Sequence, residues 1–93
     1  MAKFELGQVV QTRGIAAACE ENDDFNLEVH KAFYRYMQGD WGDTCEDDKP
    51  LNDSAVANND DRIVAKYITS KGNIFIITEY DRSSTCIMFA DEY

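Results

Sequence analysis

Ninety-three residues, 44% of them hydrophobic, predict one domain with one modest core and exclude full disorder. Eighteen acids against nine Lys and Arg leave a net charge of −9, and thirteen of those acids lie between Glu20 and Asp61 beside only Lys31, Arg35 and Lys49. That field repels nucleic acid and acidic membranes and favours cations or basic protein surfaces.

In chain order, Leu6–Thr12, with the β-branched Val9 and Val10, reads as a short strand or as a helix entry. Thr12 is a candidate N-cap for a helix over Ile15–Glu21, where three alanines give high propensity. Asn22-Asp23-Asp24 ends it. A second helix is expected from about Asn26, as its cap, to Gln38. Val29, Phe33, Tyr36 and Met37 make its apolar stripe, and Gly39 stops it. From Gly39 to Asp61 the periodicity fails. Pro50 interrupts it, and only Leu51, Ala55 and Val56 suggest one short helix, with Asp53 or Ser54 near its start. Arg62–Ser70, Asn73–Tyr80 and Thr85–Ala90 read as three strands, rich in Ile, Val, Phe, Tyr and Thr. Lys71-Gly72 and Asp81-Arg82-Ser83-Ser84 mark the turns between them. The expectation is a single α+β domain over 1–93. It comprises a helical part over 1–38, an acidic loop segment over 39–61 and a three-stranded antiparallel meander over 62–93. A fourth, short N-terminal strand is the second possibility for its start, and two to three helices pack on one face.

Cys19, Cys45 and Cys86 are odd in number and widely spaced, which speaks against a disulfide framework or a zinc site. Met1-Ala2-Lys3-Phe4-Glu5 does not read as a signal peptide. No apolar run approaches the ~20 residues of a membrane span. The expected setting is the reduced cytoplasm, with no membrane partner. Without a basic stripe or an RNP-like motif, direct nucleic-acid binding is not expected either.

Several blocks carry a family resemblance. They are Leu6-Gly7-Gln8-Val9-Val10-Gln11-Thr12-Arg13-Gly14, then Gly39-Asp40-Trp41-Gly42-Asp43 continuing through Glu46, Asp48 and Asn52. The last is Ile76-Ile77-Thr78-Glu79-Tyr80-Asp81-Arg82-Ser83-Ser84-Thr85, closing with Asp91-Glu92-Tyr93. Together they resemble a family of small plasmid-related proteins from bacterial plasmids and conjugative elements. Many of these are labelled type I restriction endonuclease subunit M. The resemblance covers nearly the whole chain and implies a mobile-element origin without a mechanism. A type I modification subunit needs an S-adenosylmethionine domain several times this length with an N-P-P-[FY] motif, and this sequence has neither. The family pattern often reads Arg-His before Gly-Asp-Trp-Gly. Here the pair is Arg35-Tyr36, which points to packing rather than proton chemistry.

The remaining candidates are groups of side chains. Asp40, Trp41, Asp43, Glu46, Asp47 and Asp48 form a candidate interaction surface, because Trp is favoured in binding hot spots and hard cations or basic groups seek carboxylates. The spacing does not match an EF-hand, and the alternatives are a solvated acidic loop and a Trp41 folded back into the core. Glu79, Asp81, Arg82, Ser83 and Thr85 form a polar cluster that suits a small hydrolase or nuclease-like site, or plain turn chemistry. His30 stands alone, so a triad or metal site is hard to build around it. No catalytic residue, metal or cofactor is assigned. The preferred function is a non-enzymatic interaction module that binds a basic protein surface, with antagonism of a host DNA-binding or defence protein, or modulation of transfer machinery, as its mobile-element versions. The alternative is the small enzyme built on Glu79, Asp81, Arg82 and Thr85. Homodimerisation through a sheet edge, with the last strand as candidate edge, is the third reading.

Overall fold

The computed structural model describes residues 2–93. Strand β1 (Gln8–Gln11) leads into helix α1 (Arg13–Glu21), helix α2 (Asp23–Met37) and helix α3 (Lys49–Asn58). Strands β2 (Ile63–Thr69), β3 (Gly72–Thr78) and β4 (Ser84–Phe89) follow, and a 3₁₀ turn, Ala90–Glu92, closes the chain. The sheet order is β1-β4-β3-β2. The three C-terminal strands form the expected antiparallel meander, with Ile76 opposite both Ala65 and Ile87. β1 joins it in parallel, Val9 lying beside Thr85. The sheet is therefore mixed and four-stranded.

The last strand is not an edge, which corrects the expectation for the C terminus. β1 covers it, because Gln8 N–H donates to Ser83 O and Thr12 N–H to Ile87 O. The edges are β1 and β2.

Alternation sorts the strand residues. Ile63, Ala65 and Tyr67, then Ile74, Ile76 and Thr78, then Thr85 and Ile87 are all buried on one face. Ile15 and Ala18 of α1 and Phe25, Val29, Ala32 and Tyr36 of α2 are buried with them. The α2 set recurs at three- and four-residue steps, one helical stripe. The opposite face is thinner. Phe75, Cys86 and Met88 are half-buried there, and Tyr93 lays its ring edge-on to Phe75 at 5.6 Å between centroids.

Thr12 caps α1 as expected, accepting from Ile15 N–H at 3.3 Å. The second helix starts earlier than the sequence suggested. Asn22, not Asn26, accepts from Phe25 N–H at 3.0 Å. Asn22 serves both as C-cap of α1 and as N-cap of α2, and Asp23 and Asp24 sit in the first turn, where the helix dipole favours acids. Gly39 terminates the helix at φ +80°.

The segment expected to be mostly loop holds α3, which begins at Lys49 rather than near Asp53. Pro50 belongs to its first turn, where a missing N–H costs nothing. α3 does not lie on the helical face of the sheet. It runs along β2, and only Asn52 and Ala55 of it are buried.

Candidate functional site

The Gly-Asp-Trp-Gly-Asp segment closes the open edge of β2. β2 pairs with β3 on one side, so its outward amides and carbonyls need other partners. Asn52 supplies two: its side-chain amide donates to Val64 O at 2.9 Å and its side-chain oxygen accepts from Val64 N–H at 3.2 Å. Thr44 Oγ1 accepts from Lys66 N–H at 2.9 Å, and Asp43 N–H donates to Lys66 O at 2.8 Å. The Asp43 carboxylate accepts from Ile68 N–H at 2.9 Å. Three short polar side chains thus imitate a fifth strand. Gly42 fits this approach because φ is +63° and a Cβ there would meet the Tyr67 ring at 2.4 Å.

Trp41 anchors the clasp from inside. It is 4% exposed, so it is a core residue and its ring is not offered to a partner. Its ring lies edge-on to Tyr36 at 5.6 Å and tilted against Phe4 at 6.0 Å. The indole N–H donates to Asp53 Oδ1 at 2.8 Å, tying the loop to α3.

Asp40 belongs to the same construction. Arg35 Nε and Nη2 donate to its two carboxylate oxygens at 2.9 and 3.2 Å, and Gly42 N–H donates at 3.0 Å. The Arg35 guanidinium, then the Gly42 amide, hold the Asp40 carboxyl below its ordinary 3.8. Both partners are about half exposed, so solvent screens most of the pair. The unfolded chain takes up the proton at higher pH than the folded chain does. The contribution is therefore complete above the ordinary carboxylate range and is lost as pH falls through the folded value. A carbon-detected NMR titration should place Asp40 below the ordinary aspartate value. Arg35→Ala should move it back up, and an unmoved Asp40 would show that the pair is not formed.

Of the six acidic-loop candidates, Asp40, Trp41 and Asp43 are thus structural. Glu46 is exposed and pairs with Lys49 at 3.2 Å. Asp47 and Asp48 are exposed, and their carboxylates have no hydrogen bond or ion pair among the described residues. They stand just before α3, where acids also favour the helix N-terminus.

The polar cluster at the second turn separates into four structural roles. Arg82 is 6% exposed at φ +61°. Its Nη1 donates to the carbonyls of Asp61 at 2.7 Å, Glu79 at 3.2 Å and Tyr80 at 3.3 Å. Its Nη2 donates to Ala55 O at 2.8 Å and Asp60 O at 3.0 Å. Arg82 therefore neutralises the carbonyl end of α3 and pins the α3–β2 connection to the β3–β4 turn, so it is neither a surface residue nor an ion-pair partner of the acidic loop. Asp81 accepts from Ser83 N–H at 3.0 Å, an Asx turn. Glu79 pairs with Arg62 at 3.5 Å. Thr85 is fully buried in a chain of hydroxyls: Tyr36 to Thr78 at 2.6 Å, Thr78 to Thr85 at 2.7 Å, and Thr85 donating to Leu6 O at 2.7 Å. Burial raises the Tyr36 phenol far above its ordinary value, so it stays neutral and serves packing. The five residues do not converge on one cleft, and Thr85 has no solvent access for chemistry.

A concavity of about 470 Å³ lies elsewhere, on the thinner sheet face beside α3. Cys45, Asp48, Leu51, Arg62, Lys66 and Phe75 line it. His30 is exposed on α2 beside Lys31, Tyr34 and Arg35. Burial pushes the Cys19 and Cys86 thiols up, away from thiolate reactivity. Among the described residues no three His, Cys, Asp or Glu side chains gather as a metal site. No described helix is long and apolar enough to cross a membrane. No family model, curated protein or solved structure matches this chain.

Sequence reasoning missed the Asn52–Val64 exchange and the Arg82 carbonyl knot. The Asn52 signal was present only as an amide two residues after Pro50 in an acidic stretch, and nothing local marks Arg82 as buried.

Proposed function

We propose that this protein is a small acidic, non-enzymatic interaction module that binds a basic protein surface in the cytoplasm. The observation that carries the reading is the exposed carboxylate run Glu46-Asp47-Asp48. The carboxylates of its last two members have no partner among the described residues, and they lie between the hydrogen-bonded clasp and α3. A preorganised acidic edge loses little entropy on docking and gains from complementary charge. Glu20, Glu21, Asp23 and Asp24, all exposed around the α1–α2 junction, extend the field that steers a basic partner. The resemblance to plasmid-related proteins supports a mobile-element setting, in which antagonism of a host DNA-binding or defence protein is the role we propose.

The test is capture from a host lysate at low and high salt, comparing the natural chain with a Glu46→Gln/Asp47→Asn/Asp48→Asn variant. The expected result is retention of a defined basic protein by the natural chain, released by salt and absent from the variant, with both folds intact. Retention that ignores salt, or that survives neutralisation, contradicts the reading.

A further inference from the structure

The two edges of the sheet are treated in opposite ways. The β2 edge is covered at Val64, Lys66 and Ile68 by side chains. Among the described residues nothing covers the β1 edge. Gln8 and Thr12 turn their amides toward β4, so by alternation Val9 and Gln11 turn theirs outward. All four β1 residues are exposed, Val9 at 45% and Val10 at 40%.

The edge also lacks the usual protection. Proteins blunt exposed edges with charge, proline or bulges, and Gln8-Val9-Val10-Gln11 has none of these. In a chain that is 29% charged, only three charge-free runs reach seven residues, 6–12, 72–78 and 83–90. The latter two supply β3 and β4, the interior strands. The first supplies an edge.

We propose that β1 pairs antiparallel with β1 of a second copy of this chain, about a two-fold axis at Val10, doubling the sheet. In this register Val9 of each copy exchanges both backbone hydrogen bonds with Gln11 of the other, which uses every outward group of the strand. Val10 meets Val10 across the axis as a non-hydrogen-bonded pair, the closer kind. Charge selects a second copy as the occupant. Two chains of −9 repel over most of their surfaces, but the four residues of this edge carry no charge. Its flanks are complementary to themselves: Glu5 precedes the strand, Arg13 follows it, both are exposed, and neither has an ion pair among the described residues. Antiparallel pairing about Val10 sets Arg13 of one copy opposite position 7 of the other. That is two residues, about 7 Å along the strand, from Glu5, within reach of two long side chains. A four-residue edge buries well below the ~1,200–2,000 Å² of a durable interface. The dimer is therefore weak and concentration-dependent.

Sedimentation equilibrium over a roughly hundredfold concentration range reads this directly. The average mass should rise from 10.6 kDa toward twice that value. Val9→Pro removes only an outward N–H, so the fold's own bonds stay intact while the dimer is lost. Val10→Lys places like charges across the axis and should also hold the chain at monomer mass, so the test survives if Val9→Pro fails to fold. Arg13→Glu should weaken association about 3–10-fold, and Glu5→Arg/Arg13→Glu should restore it, a rescue that a merely structural role for Arg13 does not produce. A natural chain that stays monomeric at the highest concentration overturns the proposal. So does a dimer that persists in folded Val9→Pro or Val10→Lys.

Discussion

Replacing Arg82 by alanine is expected to cost about 3–5 kcal/mol of folding stability, the range seen when a buried charged group is cut out of its hydrogen-bonded setting. The guanidinium serves five backbone carbonyls from three separate stretches, Ala55, Asp60–Asp61 and Glu79–Tyr80. Truncation leaves all of them without these donors, and water replaces them poorly at a site 6% exposed. Against a total of ~5–15 kcal/mol for a domain, that loss shifts the urea midpoint by a large fraction. Arg82→Lys keeps the charge but offers a point of three donors in place of a planar fork, so it recovers only part of the loss. Arg82→Gly relieves the left-handed backbone at φ +61° yet loses the same bonds. If Arg82→Gly matched the natural chain in a urea titration, the carbonyl knot would be unimportant.

The second large effect belongs to Trp41. Trp41→Ala is expected to destabilise by about 3–5 kcal/mol, the usual cost of emptying a buried aromatic site. The indole touches Phe4 from the N-terminal segment and Tyr36 from α2, and its N–H holds Asp53 of α3. Trp41→Phe keeps most of the ring volume but leaves the Asp53 carboxylate without this donor, so its cost is smaller and comes mainly from that bond. The alanine variant has a further consequence. With the clasp loosened, the outward groups of Val64, Lys66 and Ile68 become a second open edge, and association beyond a dimer follows. A folded, fully stable Trp41→Ala protein with an intact β2 edge contradicts this account.

How much of this was legible follows from how local each cause is. The three C-terminal strands announced themselves because β-branched and aromatic residues alternate between tight turns. Thr12 as a cap and Gly39 as a stop are likewise decided within a turn of chain. β1 was ambiguous because a four-residue exposed strand carries no burial pattern, and its partner, β4, lies more than seventy residues away. α3 was obscured because it buries Asn52 and Ala55 rather than an apolar stripe. Its place beside β2 comes from side-chain-to-backbone bonds that no periodicity records. The acidic loop looked like one surface because its acids are adjacent in sequence. In the fold Asp40 and Asp43 turn to Arg35 and to the β2 backbone and Glu46 pairs with Lys49, which leaves Asp47 and Asp48 without a side-chain partner among the described residues. Arg82 reads as a turn residue locally, and its carbonyl partners on α3 and the α3–β2 connection are more than twenty positions away.

Amide hydrogen exchange at Val64, Lys66 and Ile68 tests the central claim that the Gly-Asp-Trp-Gly-Asp segment is an edge clasp. The prediction is strong protection of all three amides in the natural chain, comparable to the amides of the interior strand β3, with protection lost in Trp41→Ala. Exchange of those amides at the rate of unprotected peptide in the natural chain would mean that the segment does not cover the β2 edge.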